Sequence, residues 1–263
     1  MAQKLYRMPS QRPIQDPRGG ANGLARYTSM RAWVEAAEAG KGEIFIYEDF
    51  ATGFSCSARK ASDETKNAWN SWDVSTWKVI AIGAHTETGT IGIVNNTVGG
   101  RLELKTNDSA DDYTQIATFN DVCRPDRPWS FEASMGLVDV TNTDFGIGVA
   151  KDLALLSDAG TSANGCVFQR PGHASNNTQC ITSEGGTDTT TDSLVAPSDS
   201  TFVTYGIDYD GIGTVRYFID GSVVATHTGF VATSSMRPFF EMKNVGGATE
   251  TAYLDHIAFY QSM

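Results

Sequence analysis

The sequence predicts an all-β protein, an antiparallel sandwich of two sheets preceded by an extended N-terminal arm and one short helix. Three observations predict it. Short apolar segments alternate with a two-residue period, and clusters of Gly, Asn and Asp separate them. Glycine is abundant at 26 of 263 residues while only 19% are charged, a composition typical of many strands joined by tight turns. The first 27 residues differ, because they are basic and contain three prolines.

The clearest strand pattern lies between residues 201 and 229. Apolar residues occupy every second position from Val203 to Tyr209, as in a strand with one buried face. A second alternating run covers residues 215–219. Asp220 and Gly221 follow it, and Asp-Gly between such runs is a strong hairpin signal because both turn positions favour φ above zero. Three antiparallel strands are therefore predicted here.

The rest of the body is predicted to consist of short strands linked by turns. Residues 129–140 and 144–150 are expected to form a hairpin, and the polar stretch 183–200 to form a surface loop. The other strands are predicted at residues 43–50, 77–83, 90–95, 101–106, 113–119, 164–169, 178–182, 237–242 and 253–260.

Glycine alternates with apolar residues in the second strand of that predicted hairpin. Phe145, Ile147 and Val149 share one face, whereas Gly146 and Gly148 lie on the other. The glycine face is nearly bare backbone, so another group is expected to approach it closely. A ligand is one interpretation, and a crossing strand or an aromatic side chain is the other.

The strands in the second half of the chain resemble a known family. The runs YGIDY (205–209), VRYFIDG (215–221) and VVAT (223–226) resemble the back half of concanavalin A-like jelly rolls, the superfamily of laminin G domains, lectins and many glucanases. RPFFEM and YLDHIAFY fill the places of that family's Pro-containing strand and last strand. The resemblance implies an antiparallel two-sheet jelly-roll sandwich over residues 42–263, with the first strand paired to the last. Enzymes, lectins and structural proteins share this fold, so function has to be inferred from sites.

Residues 1–27 are predicted to lie outside the folded core. Five basic residues against the single acid Asp16 give this segment a formal charge of +4 and leave −15 for the other 236 residues, since the chain carries −11. The segment can bury little apolar surface. It is either a disordered tail or an arm that orders against an acidic or apolar neighbouring subunit. The basic residues of the arm are Lys4, Arg7, Arg12, Arg18 and Arg26.

A short helix is predicted over residues 29–39, with Ser29 as its cap and Gly40 as its stop. Trp33 lies on its apolar face, so the helix can pack on the sheet or on a partner. Arm and helix together form a first unit, residues 1–41, and are predicted to be the surface that contacts other subunits.

No catalytic or cofactor-binding motif is present in the sequence. The glucanases of the resembled superfamily share the strand motif E-x-D-x-x-E, which is absent here. Glu132 and Asp139 are seven residues apart and therefore face opposite sides of a strand. We expect no enzymatic activity and no cofactor. The histidines also occur singly, at His85, His173, His227 and His256.

No metal site is predicted either, although one loop contains the oxygen ligands that calcium prefers. Its residues are Asn107, Asp108, Asp111 and Asp112, with Asn120 and Asp121 nearby. Acidic loops in an acidic protein are usually solvated. The four cysteines lack C-x-x-C spacing, which argues against zinc, and free thiols are expected even though Cys166 and Cys180 fall in neighbouring predicted strands.

The basic arm and the missing catalytic residues favour a structural role. Residues 100–262, with the long run 129–152 ahead of the hairpin, also resemble virion proteins of bacteriophages. This resemblance implies a capsid decoration or cement protein, assembled in the host cytoplasm and attached through its arm to the major capsid protein or other virion subunits. A homotrimer is expected. The acidic charge argues against nucleic acid as a partner, and no apolar run approaches the ~20 residues that a membrane span needs.

A carbohydrate-binding module or adhesin is the alternative function. Trp69 and Trp72 lie in the long polar connection 52–76. Tryptophans in loops can stack on sugars, although packed tryptophans are commoner.

Deletion of residues 1–27 separates these two functions. If the chain is a virion component, the shortened protein should stay folded but fail to enter particles. If it binds carbohydrate, its binding on a glycan array should persist unchanged. Circular dichroism of the shortened chain provides the control for folding.

Overall fold

The computed structural model describes residues 43–48, 77–82, 90–93, 101–118, 121–151, 164–170 and 177–262. Several predicted features lie outside these ranges. They are the arm, the helix over residues 29–39, and the candidate interaction and ligand residues Lys4, Arg7, Arg12, Arg18, Arg26, Trp33, Trp69 and Trp72.

Fifteen strands make up the described part, and they form two antiparallel sheets. Sheet A has the order β13-β12-β11-β6-β15-β4-β3, with β1 also paired to β15, and sheet B has the order β10-β9-β8-β7-β14-β5-β2. The predicted all-β two-sheet sandwich is therefore confirmed. Within these ranges, no helix has the length and apolarity needed to cross a membrane. The strands are β1 (Glu43–Glu48), β2 (Trp77–Ile82), β3 (Thr90–Ile93), β4 (Leu102–Lys105), β5 (Tyr113–Thr118), β6 (Trp129–Leu137), β7 (Thr143–Ala150), β8 (Asn164–Arg170), β9 (Gln179–Glu184), β10 (Thr187–Asp192), β11 (Val203–Tyr209), β12 (Thr214–Ile219), β13 (Ser222–Thr228), β14 (Arg237–Asn244) and β15 (Thr251–Ser262).

The main core lies between the two sheets and consists of the apolar residues at alternate strand positions. Aromatic rings connect the layers. The ring of Phe168 in sheet B lies 5.0 Å from that of Tyr205 and 5.2 Å from that of Tyr217, both in sheet A. All three side chains are fully buried, so this cluster contributes a large part of the hydrophobic stabilisation.

Strands β11, β12 and β13 form the predicted antiparallel unit. Asp220 and Gly221 have φ values of 49° and 78°, as the Asp-Gly turn requires. The predicted closure of the domain is also confirmed, because β1 pairs with β15 and Glu43 lies opposite Ser262.

The predicted hairpin of residues 129–140 and 144–150 is wrong. β6 lies in sheet A between β11 and β15, whereas β7 lies in sheet B between β8 and β14. The chain crosses between the sheets in a turn where the carboxylate of Asp139 accepts hydrogen bonds from Thr141 N at 2.7 Å and Asn142 Nδ2 at 3.1 Å. Alternation shows which face of a strand is apolar but does not identify its partner, and here each strand pairs with one distant in sequence.

The predicted surface loop 183–200 is also wrong in its first part. Residues Thr187–Asp192 form β10, which pairs with β9 at the edge of sheet B. Gly185 and Gly186 make the turn, with φ values of 57° and 82°. Four threonines in this strand favour extended backbone. Because the residues of β10 are polar and exposed, the strand has no apolar alternation by which it could be predicted.

The cysteines of the described ranges, Cys123, Cys166 and Cys180, are free and buried. Burial, with a smaller contribution from the negative charge of Asp192, raises the pKa of the Cys180 thiol to about 12. These thiols are core side chains of low reactivity.

A buried chain of hydrogen bonds connects the two sheets near β9, β12 and β13. Nδ1 of His227 lies 2.8 Å from Thr182 Oγ1, which lies 2.7 Å from the hydroxyl of Tyr217. That hydroxyl donates to the carbonyl of Ile181 at 2.6 Å. Nε2 of His227 lies 3.0 Å from Thr191 Oγ1. These partners are all uncharged, and burial lowers the pKa of His227 below its ordinary value of 6.5.

We expect the free energy of unfolding to decrease as the pH falls below about 6.5. His227 takes up a proton less readily in the folded chain, so the unfolded state binds more protons in this range and stability is lost towards the lower, folded-state pKa. Urea unfolding between about pH 5 and pH 8 measures this dependence. His227→Gln should reduce the pH dependence, and an unchanged dependence in this variant would contradict the assignment.

Gly148→Ala should destabilise the protein by about 1–3 kcal/mol. Gly148 has φ 149°, and an added Cβ would lie 2.4 Å from the carbonyl oxygen of Cys166. Gly206→Ala provides the matched control, because a Cβ there meets Phe218 only at 3.4 Å. The control should change stability by no more than about 0.5 kcal/mol in urea unfolding.

Candidate functional site

The outer face of sheet B carries a row of polar side chains that crosses the sheet. In the observed register Gln115 lies opposite Glu241, Glu241 opposite Gly146, and Gly146 opposite Gln169. Gln179 continues the row on β9. Directly opposed residues in antiparallel strands share one face. We call these five residues the polar row.

The polar row is built around a buried carboxylate. Nε2 of Gln115 donates a hydrogen bond of 2.8 Å to Oε2 of Glu241. The exposed fractions are 0% for Glu241, 1% for Gln115 and 5% for Gln169. Nε2 of Gln169 is buried and has no hydrogen-bond partner within the described ranges. An orphaned amide donor of this kind is costly in a folded protein unless another group satisfies it.

Gly146 contributes no side chain to the middle of the row. Neighbouring strands are about 4.8 Å apart, so the Cα atoms of Glu241 and Gln169, on either side of Gly146, are separated by roughly 10 Å. A close approach of another group was predicted at these glycines. At Gly148 that group is the backbone of the neighbouring strand β8, which fills the space of a side chain.

An apolar row lies next to the polar row on the same face. It is reached by moving two residues along each strand. There Ala117 lies opposite Phe239, Phe239 opposite Gly148, Gly148 opposite Val167, and Val167 opposite Ile181. With Ala150, its side chains form a cluster separate from the main core. The side chains of the cluster are Ala117, Ala150, Val167, Ile181 and Phe239.

A charged row lies on the other side of the polar row, where Tyr113 lies opposite Lys243 and Lys243 opposite Asp144. Nζ of Lys243 forms an ion pair of 2.8 Å with Asp111. Burial, together with the negative charge of Glu241, raises the pKa of Tyr113 to about 12. This face of sheet B thus combines buried hydrogen-bonding groups with a buried apolar cluster.

The acidic loop considered for calcium has other roles in the structure. Asp111 is engaged by Lys243, and Asp121 forms an ion pair of 2.5 Å with Arg237. Nδ2 of Asn244 donates to the carbonyl of Asn107 at 2.9 Å. In the ranges that the structure covers, no group of three His, Cys, Asp or Glu side chains is arranged to hold a metal ion.

A second buried polar cluster lies on the outer face of sheet A. Nε2 of His256 is 3.0 Å from Oε1 of Glu132, and both side chains are less than a tenth exposed. A bulge in β15 at Asp255 turns His256 to this face, and the Asp255 carboxylate lies 3.4 Å from Nδ1. In the sequence Glu132 stands nearest to Asp139 among the candidate carboxylates and His256 stands alone, so this pair was not predicted.

The polar row was not predicted from the sequence either. Its one signal was a charged residue inside an apolar strand, Glu241 in RPFFEMKN. The other members of the row come from β5, β7, β8 and β9, which are far away in the chain. The arm residues and loop tryptophans selected from the sequence lie outside the described ranges, and their roles stay predictions.

Known structures share this architecture at very low sequence identity. The chain is similar to a protein of unknown function from Shewanella oneidensis, with a TM-score of 0.56 and 10% identity over 85% of this chain and 88% of that one. The metal-free carbohydrate recognition domain of Emp46p gives 0.53 and 10%, over 82% and 95%. A Bacillus licheniformis β-glucanase gives 0.51 and 12%, over 82% and 97%. No family model matches the sequence, and no curated protein matches it.

The fold is thus an antiparallel two-sheet jelly roll of the kind found in these lectin and glucanase structures. The family resemblance carried by residues 205–226 is therefore confirmed at the level of the fold, whereas its extension to phage virion proteins is not supported by these likenesses. Concanavalin A-like jelly rolls occur in binding proteins and in enzymes, so the likeness identifies no activity.

Removing either member of the Glu132–His256 pair should cost about 1–3 kcal/mol, because it removes a buried hydrogen bond from its partner. The double variant Glu132→Ala/His256→Ala should therefore cost less than the sum of the single variants. Urea unfolding of all four proteins measures the coupling, which we expect to reach at least about 1 kcal/mol. Strict additivity would show that the two side chains do not stabilise one another.

Proposed function

We propose that this chain is a lectin-like carbohydrate-binding protein and that it binds its ligand on the outer face of sheet B. The observation that carries the proposal is the polar row, with Glu241 and Gln169 on either side of Gly146, next to the apolar row. Sugars present hydroxyl groups at their edges and C–H groups on their faces. A face with a few fixed polar groups next to apolar surface is complementary to both.

The hydrogen-bonding groups of the row suit hydroxyl groups. Glu241 accepts, Gln115 donates and accepts, and the orphaned Nε2 of Gln169 offers a donor that the described protein does not use. A ligand hydroxyl between Glu241 and Gln169 would accept from the amide and donate to the carboxylate. Hydrogen bonds to a charged acceptor are the stronger kind.

The likeness to known structures supports this proposal at the level of the fold. One similar structure is a carbohydrate recognition domain and another is a β-glucanase. At 10% and 12% identity their ligand-binding residues cannot be transferred to this chain. The proposal therefore depends on the polar row itself.

Burial of the row implies that the site is closed in this structure. Its central side chains are at most 5% exposed. A ligand can therefore reach the row only after an opening movement. Hydrogen bonds within the protein are then replaced by hydrogen bonds to the ligand.

We propose binding without cleavage of the ligand. The E-x-D-x-x-E motif that the glucanases of the superfamily share is absent from the sequence. Prolonged incubation with the bound polysaccharide should release no shorter products. Detection of new reducing ends or of unsaturated sugars would contradict this part of the proposal.

The role as a capsid decoration protein remains a prediction from the sequence. Its attachment surface, residues 1–41, lies outside the described ranges, and so do its proposed contacts with a major capsid protein. No feature of the two sheets favours it over carbohydrate binding.

Substitutions in the polar row should weaken glycan binding. A glycan array first identifies a ligand, and titration calorimetry then compares variants with the unmodified chain. Glu241→Gln and Gln169→Ala should each lower affinity at least tenfold, equivalent to about 1.4 kcal/mol. Each removes a hydrogen bond that involves a buried group, and hydrogen bonds to charged groups contribute about 1.5–3 kcal/mol.

Glu103→Gln provides the matched control, because Glu103 lies on β4 in sheet A and pairs with Lys105 at 2.8 Å. Its glycan affinity should equal that of the unmodified chain. Thermal unfolding checks that the row variants remain folded. Unchanged affinity in folded Glu241→Gln and Gln169→Ala would overturn the assignment of the site.

A further inference from the structure

We infer that the helix predicted over residues 29–39 docks on the body of its own chain, with its apolar face against the exposed side chains of Ile212 and Val231. This contact lies at one end of the sandwich, away from the outer face of sheet B, so it is independent of carbohydrate binding. It assigns the predicted helix to the body of the chain and leaves the basic residues 1–27 for contacts with other subunits.

Two large aliphatic side chains are exposed on adjoining turns at this end. The exposed fractions are 90% for Ile212 and 58% for Val231. The two turns are joined by a hydrogen bond of 3.1 Å from N of Phe230 to the carbonyl of Gly213. We call Ile212 and Val231 the aliphatic pair. An apolar face that covers the pair would remove apolar surface from water and stabilise the folded chain.

The turn that carries Ile212 is held in one conformation. Oδ1 of Asp210 accepts hydrogen bonds of 2.9 Å from the backbone N atoms of residues 212–214. Gly211 has φ 82° and packs against Pro128, where an added Cβ would lie 2.7 Å from the proline N. A rigid turn loses little conformational entropy when another segment binds to it, so it is suited to docking.

The chain enters the folded body at this same end. Glu43, the first residue of β1, lies opposite Ser262, the last residue of β15. A row across sheet A runs from Ile44 on β1 through β15 and β6 to Tyr209 on β11, just before the turn of Ile212. This row covers three strand spacings of about 4.8 Å, so its ends are about 14 Å apart.

This distance is within reach of the predicted helix. A helix over residues 29–39 is about 16 Å long. The residues between it and β1 can span up to about 14 Å more. Trp33 therefore reaches the aliphatic pair when the helix lies across the ends of β15, β6 and β11. The short connection also raises the effective concentration of the helix at this site, which favours docking within one chain over docking between copies.

The charges at this end are complementary to the polar residues of the helix. Glu35 and Glu38 are three residues apart and are therefore neighbours on the predicted helix. In the segment before β6, Arg124 and Arg127 pair with the same carboxylate, that of Asp126, at 3.3 Å and 3.9 Å. Their side chains are 56% and 36% exposed. Two exposed cations that share one carboxylate carry a net positive charge, which attracts the two acids of the helix.

Protection of the helix amides from exchange reports docking directly. Isolated helices shorter than about 12–15 residues are marginal in water. Residues 29–39 would therefore exchange their amide hydrogens rapidly if they made no contact with the body. A docked helix opens only when the contact breaks, so its exchange is slow.

Hydrogen–deuterium exchange of the full chain, read by mass spectrometry, tests the contact. In the unmodified chain, residues 29–39 should exchange at least about tenfold more slowly than residues 1–27. The double variant Ile212→Ser/Val231→Ser should remove this difference, because it removes the apolar surface that the helix covers.

Val138→Ser/Leu194→Ser provides the matched control. These two side chains are 42% and 82% exposed and lie at the opposite end of the sandwich, after β6 and β10. Exchange of residues 29–39 in this variant should equal that of the unmodified chain, and urea unfolding checks that both double variants remain folded. Equal exchange in the two double variants, or rapid exchange of residues 29–39 in the unmodified chain, would overturn the docking.

Cross-linking provides a second measurement and identifies the chain that the helix contacts. Ala37→Cys is combined with Ile212→Cys, or with Leu194→Cys as the control, in a Cys56→Ser background, because the other three cysteines are buried. A short bismaleimide should link residue 37 to residue 212 within one chain, but not to residue 194. Links formed only between copies would overturn docking within one chain, and failure to link residue 212 at all would overturn the contact.

Discussion

The antiparallel register between β7 and β14 is the constraint on which the site depends. It places Gly146 opposite Glu241 on the outer face, and Ile147 opposite Phe240 in the core. A shift of one residue would turn Glu241 into the core and Phe240 to the outside. Because the core would suffer as much as the polar row, hydrophobic packing between the sheets enforces the geometry of the hydrogen-bonding groups.

Much of the fold could be predicted because strand patterns are local. The alternation from Val203 to Tyr209 and the Asp-Gly turn contain the information for β11 to β13 within one segment. Pairing is not local, and the hairpin expected from residues 129–150 fails for that reason: both strands have the right alternation but join different sheets. β10 was not predicted, because it is held by backbone pairing with β9 and has no apolar face.

The candidate site could not be predicted, because four different strands contribute to its centre. Glu241 is visible in the sequence as a charge within an apolar strand. Gln115 becomes its neighbour, and Gln169 joins the same row, only through the register of β5, β7 and β8. The same holds for Glu132 and His256, which are 124 residues apart in the chain. Single polar residues in strands are therefore weak signals until pairing is known, and strong ones afterwards.

The position of β15 has a consequence for how the protein is made. This strand lies in the middle of sheet A, with β6 on one side and β4 and β1 on the other, yet it comes last along the chain among the fifteen described strands. During synthesis its neighbours leave the ribosome with an empty place between them, and their unpaired edges and apolar residues are exposed. Distant strand pairing is slow, and such exposed edges are prone to aggregate. Emergence of β15 is thus the step that closes the sheet, because it pairs with both of the edges left open until then.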